Sequence, residues 1–323
     1  MGNTGAITGT TGGSASAPLV KRAMVIIHGA GDADPDYSAP MVERIKSLIN
    51  SPDAKQFDRL EVLYAAVLNS PDWQTARTAQ SARAQFASDM FIKTIVQENM
   101  ATQTAKLPIE QLLGNLFGGN SLNAIGAEIR AAFLSADNAL DALAKKITGS
   151  SLDEWRDTIL KNPTVEDVCF YLDNAGFRND VKATLIAKLK EAQQYEDVIL
   201  VSHSLGTVVA FDVLNEWTDP QLHISTWFTM GCPLKKILAL DKALNLQPNR
   251  PNQLNNSRVS RWFNVYNSLD FVANPLSPTF YANGVCDIFV QPKVPNNLDP
   301  IVAHDYYAND NALKLIAEFI QTL

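Results

Sequence analysis

The stretch Ile199-Leu200-Val201-Ser202-His203-Ser204-Leu205-Gly206-Thr207-Val208-Val209-Ala210 decides how this chain is read. An apolar run suited to a strand buried on both faces enters a serine and leaves it with helical character. That puts Ser204 at the tip of a sharp strand-to-helix turn. The small Ser202 and Gly206 let strand and helix approach closely. A serine hydroxyl is a weak nucleophile at neutral pH and becomes useful where a base can take its proton. The helix is predicted over Leu205 to Trp217, so the N–H of Leu205 lacks an intrahelical partner and can face a negative oxygen forming beside Ser204. The competing reading is a plain small-residue turn between buried elements.

A base is sought among only four histidines, at the carboxyl ends of strands, where groups gather on an open parallel sheet. His203 adjoins the serine, and neighbouring side chains diverge on a sharp turn. His223 precedes the strand Ile224 to Met230, at the wrong edge. His28 ends the first apolar strand and is expected to shape a loop. His304, between the last strand and the terminal helix, remains. The strand Ser260 to Tyr266 ends in the turn Asn267-Ser268-Leu269-Asp270, which places Asp270 to accept the second ring N–H of His304 and fix its tautomer. Asp287 lies inside the next strand, and Asp305 is too close to His304 in sequence. The chain order is Ser204, Asp270, His304, a serine, acid, base order that differs from those of chymotrypsin and subtilisin.

Outside this set, strand-like runs alternate with helical ones. The strands are Ala23 to Ile27, Leu60 to Val67, Val198 to Ser202, Ile224 to Met230, Ser260 to Tyr266 and Val285 to Val290. Helices are expected at Ala39 to Asn50, Asn179 to Ala192, Leu205 to Trp217 and Asn309 to Leu323. Such alternation predicts an α/β fold with a mainly parallel central sheet flanked by helices. Thr75 to Lys161 lacks a convincing strand and carries apolar residues at helical spacing, such as Ile125, Ile129, Phe133, Leu140 and Ile147, so an inserted helical cap is expected there. The domains are then a flexible segment at 1–20, a core at 21–74 and 165–323, and the cap at 75–164.

His28-Gly29, Ser202 to Gly206, Gly231-Cys232-Pro233-Leu234, Asp270 and His304 together resemble the α/β-hydrolase superfamily, in particular its lipase and esterase-like members. The resemblance covers roughly residues 23 to 75 and 165 to 323. Ser202 stands where the usual Gly-x-Ser-x-Gly pattern has its first glycine. The resemblance implies a serine hydrolase that cleaves carboxylic esters through an acyl-enzyme on Ser204. It also implies that Ala30, after His-Gly, donates a second N–H to the oxyanion beside Leu205. Within the cap, Leu113-Gly-Asn-Leu-Phe-Gly-Gly-Asn-Ser121 reads on this resemblance as a lid hinge with Leu116 and Phe117 touching the acyl group; a helix-helix turn with both side chains packed inward is the other reading. An acyltransferase with the same residues and a catalytically silent binding protein are the rival classes.

The remaining features limit function by class. A glycine-rich His28-Gly-Ala-Gly-Asp32 could cradle a phosphate, but it matches neither G-x-G-x-x-G nor G-K-[ST], and Asp32, Asp34 and Asp36 would repel a polyphosphate. The formal charge of −7 over 323 residues argues against nucleic acid or an anionic membrane surface as the main partner. With 46% hydrophobic and 19% charged residues the chain has the balance of a globular enzyme. Cys169, Cys232 and Cys286 are too few and too scattered for a disulfide framework or zinc site, and each is expected as a small buried residue. The expected partner is a small-molecule or lipid ester, with no cofactor and no metal. Met1 to Pro18 has neither the basic start nor the apolar core of a signal peptide, and no apolar run reaches about 18 residues, so a cytoplasmic protein without a spanning helix is expected. Oligomeric state leaves no mark on the sequence.

Overall fold

The computed structural model describes residues 20–79 and 163–323, apart from 245, 248, 252, 255–257, 268–269, 271, 281–283 and 293–299. The first nineteen residues and most of the expected cap, Leu116 and Phe117 included, lie outside the described residues. The elements run β1 (Arg22–Ile27), α1 (Ala39–Leu48), β2 (Asp58–Val62), α2 (Ala65–Leu68), α3 (Pro71–Ala79), α4 (Pro163–Asp173), α5 (Ala175–Ala192), β3 (Asp197–His203), α6 (Leu205–Glu216), β4 (Thr226–Met230), α7 (Leu234–Leu244), β5 (Trp262–Tyr266), β6 (Val285–Phe289), α8 (Pro300–Ala303) and α9 (Asp310–Ile320).

The six strands form one sheet in the order β2-β1-β3-β4-β5-β6, every pair parallel. This is the α/β architecture that the alternation implies. All of β1 is buried, as befits a central strand covered on both faces. Its residues divide by period 2: Ala23, Val25 and Ile27 enter a core with α4, α5 and α6, while Met24 and Ile26 enter one with α1 and α9. Helix α9 earns its place by an apolar face of Leu313, Ile316 and Ile320, and its first turn is capped by Asn309, whose side chain accepts the N–H groups of Asn311 and Ala312. Helix α5 is capped likewise by Asn174, which accepts from Phe177 N–H.

The strand order reverses between β1 and β3. From β1 the chain steps outward to β2, then crosses back to β3 on the other side and continues outward to β6. The loops leaving the carboxyl ends of β1 and β3 therefore diverge and open a crevice, the usual ligand position on an open parallel sheet. His28-Gly29-Ala30 and Ser204 flank that crevice.

Several elements depart from the sequence reading. The strand expected over Leu60 to Val67 stops at Val62, and Ala65–Leu68 is a helical turn. The stop is tertiary: Tyr64 stacks on His28 with ring centroids 4.0 Å apart, and the Ala65 N–H donates to His28 Nε2 at 3.3 Å. Helices α4 and α7 were not anticipated, and α5 begins at Ala175 rather than Asn179. Strand β4 begins at Thr226, with Ile224 only bridging Val259. Cys286 is exposed on the edge strand β6, against the expectation of three buried cysteines; Cys169 and Cys232 are buried. No helix among the described residues is long and apolar enough to cross a membrane.

Candidate active site

Ser204 occupies the N-cap position of α6 with φ 50 and ψ −124. A non-glycine residue held there costs about 1–3 kcal/mol and persists only where its surroundings impose it. Here they do. The Ser204 N–H donates to Met230 O at 2.9 Å, and its carbonyl accepts the N–H of Thr207 at 2.9 Å and the Thr207 hydroxyl at 2.6 Å. The crossing of strand and helix is close: a Cβ on Gly206 would stand 2.3 Å from His28 O, which only glycine allows. Ser202 is fully buried, and its hydroxyl accepts from Trp227 Nε1 at 2.8 Å and donates to Phe228 O at 3.3 Å. A serine in place of the usual first glycine is thus accommodated by two partners.

Asp270 and His304 meet. His304 Nδ1 lies 2.9 Å from Asp270 Oδ2, so the ring proton sits on Nδ1 and is given to the carboxylate. The opposite nitrogen, Nε2, is buried and has no hydrogen-bond partner. Gly231 explains how the ring fits: at φ 62 it directly follows β4, and a Cβ there would stand 2.7 Å from His304 Cε1. Ser204 is thus tied to Met230 through its backbone N–H, and the His304 imidazole lies against Gly231, the next residue.

The carboxylate of Asp270 is prepared as an anion. Burial pushes its pKa up, but the His304 charge and hydrogen bond, the Val272 N–H and the Tyr306 hydroxyl outweigh it and hold the group below the ordinary carboxylate range. Its Oδ1 accepts the N–H groups of Val272 at 2.8 Å and Ala273 at 3.2 Å. Lys236, fully buried in the first turn of α7, donates to Val272 O at 3.0 Å and to Asn274 Oδ1, which fastens the same loop.

The loop after β1 is held from two sides. The Tyr64 hydroxyl and His28 Nδ1–H both donate to Gly29 O, the latter at 2.6 Å, while Gly31 N–H donates to Asp167 Oδ2 at 2.8 Å. The Gly29 carbonyl and the Ala30 N–H share one trans peptide and point in opposite directions. Fixing the carbonyl inward thus turns the Ala30 N–H away from Tyr64 and His28. A Cβ on Gly29 would lie 2.9 Å from Ser204 Cβ, so this peptide runs directly beside the serine. His28 can serve in this way because burial drives its pKa down to about 4, which leaves it neutral with Nε2 as an acceptor.

His203 behaves differently from expectation. Its ring does not diverge from the site but lies 4.7 Å from that of His304, and its Nε2 donates to His304 O at 2.8 Å. Burial and the neighbouring His304 push its pKa down to about 3, so it is a neutral donor and ties the His304 loop to the end of β3. His223 stays at the amino end of β4, exposed, with Nε2 3.0 Å from Ser260 Oγ. Leu205 is buried as the first residue of α6, where position alone leaves its N–H without an intrahelical partner. Tyr64, Asn267 and Tyr306 contribute contacts that the sequence did not single out; the one available signal was Asn267 at a strand end, in an Asx-rich turn.

Among the described residues no cluster of three or more His, Cys, Asp or Glu could hold a metal ion. No model of a known protein family matches the chain, and no curated protein matches it.

Proposed function

We propose that this chain is a serine hydrolase of the α/β-hydrolase type that cleaves carboxylic esters. The observation that carries this reading is the state of His304: Nδ1 is committed to an anionic Asp270, and Nε2 is left without a partner on a ring that lies against Gly231, the residue after the Met230 whose carbonyl holds the Ser204 N–H. In the reaction, Ser204 Oγ attacks the acyl carbon as His304 Nε2 takes its proton. The tetrahedral oxyanion draws the N–H groups of Leu205 and Ala30. Collapse breaks the bond to the alcohol, which leaves with the proton from Nε2. Water then adds to the acyl-enzyme, giving its proton to Nε2, and releases the acid as Ser204 recovers its hydrogen. Each oxyanion donor of this kind contributes about 100- to 1000-fold in rate, which gives the bracing of Gly29 by Tyr64 and His28 a chemical purpose.

The test is covalent labelling by a fluorophosphonate, with and without detergent. The parent chain should label at Ser204 and Ser204→Ala should not. A parent chain that stays unlabelled in both conditions removes this reading in favour of a catalytically silent protein.

A further inference from the structure

The acid and the base reside on separate loops, and the Asn267 side chain bonds to both of them. Asn267, 1% exposed, leaves the carboxyl end of β5. Its Oδ1 accepts the N–H of Asp270 at 2.9 Å, and its Nδ2 donates to Ala303 O at 2.8 Å and to the Tyr306 hydroxyl at 3.1 Å. Its own N–H donates to the same hydroxyl at 3.0 Å, and Tyr306 in turn is hydrogen-bonded to Asp270. We infer that Asn267 is a positioning residue that sets the distance between Asp270 and His304 by bridging their loops through a single planar amide. The inference rests on the reading in which Ser204, Asp270 and His304 act together.

The chemistry explains why an amide stands here. One partner is a backbone N–H and the other a backbone carbonyl, so the residue must accept on one side and donate on the other, and the orientation of the amide is fixed by those partners. An aspartate would keep the acceptor and lose the donor, putting a second carboxylate oxygen against the Ala303 carbonyl. An alanine would lose both and leave buried backbone groups unpaired. The leverage is short, because Ala303 directly precedes His304. The imidazole is already confined by Gly231 against Cε1 and by the His203 hydrogen bond to its carbonyl. Beyond the direct bond from His304 and the one from Tyr306, Asn267 refers the backbone that carries this confined ring to the backbone that carries the acid. A displacement of about 1 Å in such a pair costs on the order of 100-fold in rate.

The experiment compares the full-length parent chain with Asn267→Ala, Asn267→Asp and Arg250→Met, the last altering a buried ion pair remote from the site. Hydrolysis of p-nitrophenyl acetate gives kcat and KM, and proton NMR follows the far-downfield resonance of the His304 Nδ1–H, assigned by its loss in His304→Gln. Both Asn267 variants should lower kcat by about 10- to 100-fold with KM within about twofold, and should broaden or abolish that resonance. Arg250→Met should keep both readouts at a lower melting temperature. A resonance as sharp as the parent's in either Asn267 variant, or a kcat no lower than that of Arg250→Met, overturns the inference. If the parent itself hydrolyses nothing, the ester reading fails and the resonance alone decides the role of Asn267.

Discussion

Helix α6 connects two buried polar networks of opposite character. Its N-cap, Ser204, stands at the carboxyl ends of the strands, where Asp270, His304, Asn267 and Tyr306 form a set whose buried polar side-chain atoms have partners except His304 Nε2. Two turns along, Asp212 accepts from Tyr171 Oη at 2.9 Å and from Arg250 Nη2 at 3.1 Å, and Arg250 Nε stands 3.2 Å from Asp241 Oδ2 without the alignment of a hydrogen bond. In this second network Arg250 Nε and Nη1 and both oxygens of Asp241 lack hydrogen bonds. The difference teaches how to weigh an unsatisfied buried atom. In the first network the fixed neighbours converge on one spare lone pair, which suits proton transfer. In the second the unpaired atoms are distributed over acid and base alike, which suits only charge balance between α6, α7 and the chain beyond α7.

That contrast breaks most sharply at His304. Exchange to alanine should lower kcat for ester hydrolysis by about 10³- to 10⁴-fold while the thermal midpoint moves by only a few degrees; turnover within tenfold of the parent would place the spare nitrogen outside the chemistry. In the second network the expected result is reversed. Arg250→Met leaves Asp212 and Asp241 as buried acids without their cation and should cost about 3–5 kcal/mol of stability, read from urea midpoints, with kcat unchanged. A loss of activity there would mean the two networks are coupled through α6.

Acid separates the networks by sign. His28, held by burial at about 4, and His203, held by burial and by His304 at about 3, are neutral in the native state while the unfolded chain protonates near the ordinary value of about 6.5. Stability from these two is fully present above that value and declines as pH falls, by on the order of 3 kcal/mol for His28 between about pH 6.5 and 4. Asp241 works the other way. Burial raises it to about 6, so the native state binds its proton first and gains stability as pH falls from about 6. Urea midpoints from pH 7 to 4.5 should therefore show a shallower acid loss in His28→Gln and a steeper one in Asp241→Asn; identical slopes in all three chains would refute the assignment. The smallest effect belongs to Tyr64→Phe. It removes one of two donors to Gly29 O, and kcat should drop by about 3- to 10-fold, in keeping with a net hydrogen bond of about 1 kcal/mol.

The candidate site was legible in part. Ser204 could be found because its requirements are local: an apolar strand before it, small residues beside it and a helix after it. Asp270 and His304 could be placed because parallel strands bring their carboxyl ends together. Tyr64 instead falls inside an expected strand, since Leu60 to Val67 is apolar apart from Glu61 and nothing in that run announces a distant histidine, His28, for it to stack on. The divergence of neighbouring side chains separates His203 from the serine, but says nothing of the His304 loop that its ring meets.

Period and composition along the chain determined an α/β architecture with a mainly parallel sheet, a serine at a sharp strand-helix turn, and which strand ends carry a carboxylate and an imidazole, because alternation and turn signals are carried by residues close in sequence. Tertiary structure alone decided that Asn267 bridges two loops, that Gly231 makes room for His304 and that Tyr64 turns a peptide beside Ser204. Hydrogen bonds across loops depend on relative positions set by the packing of the whole sheet, and an amino-acid pattern records which face a residue takes without recording whom it meets there.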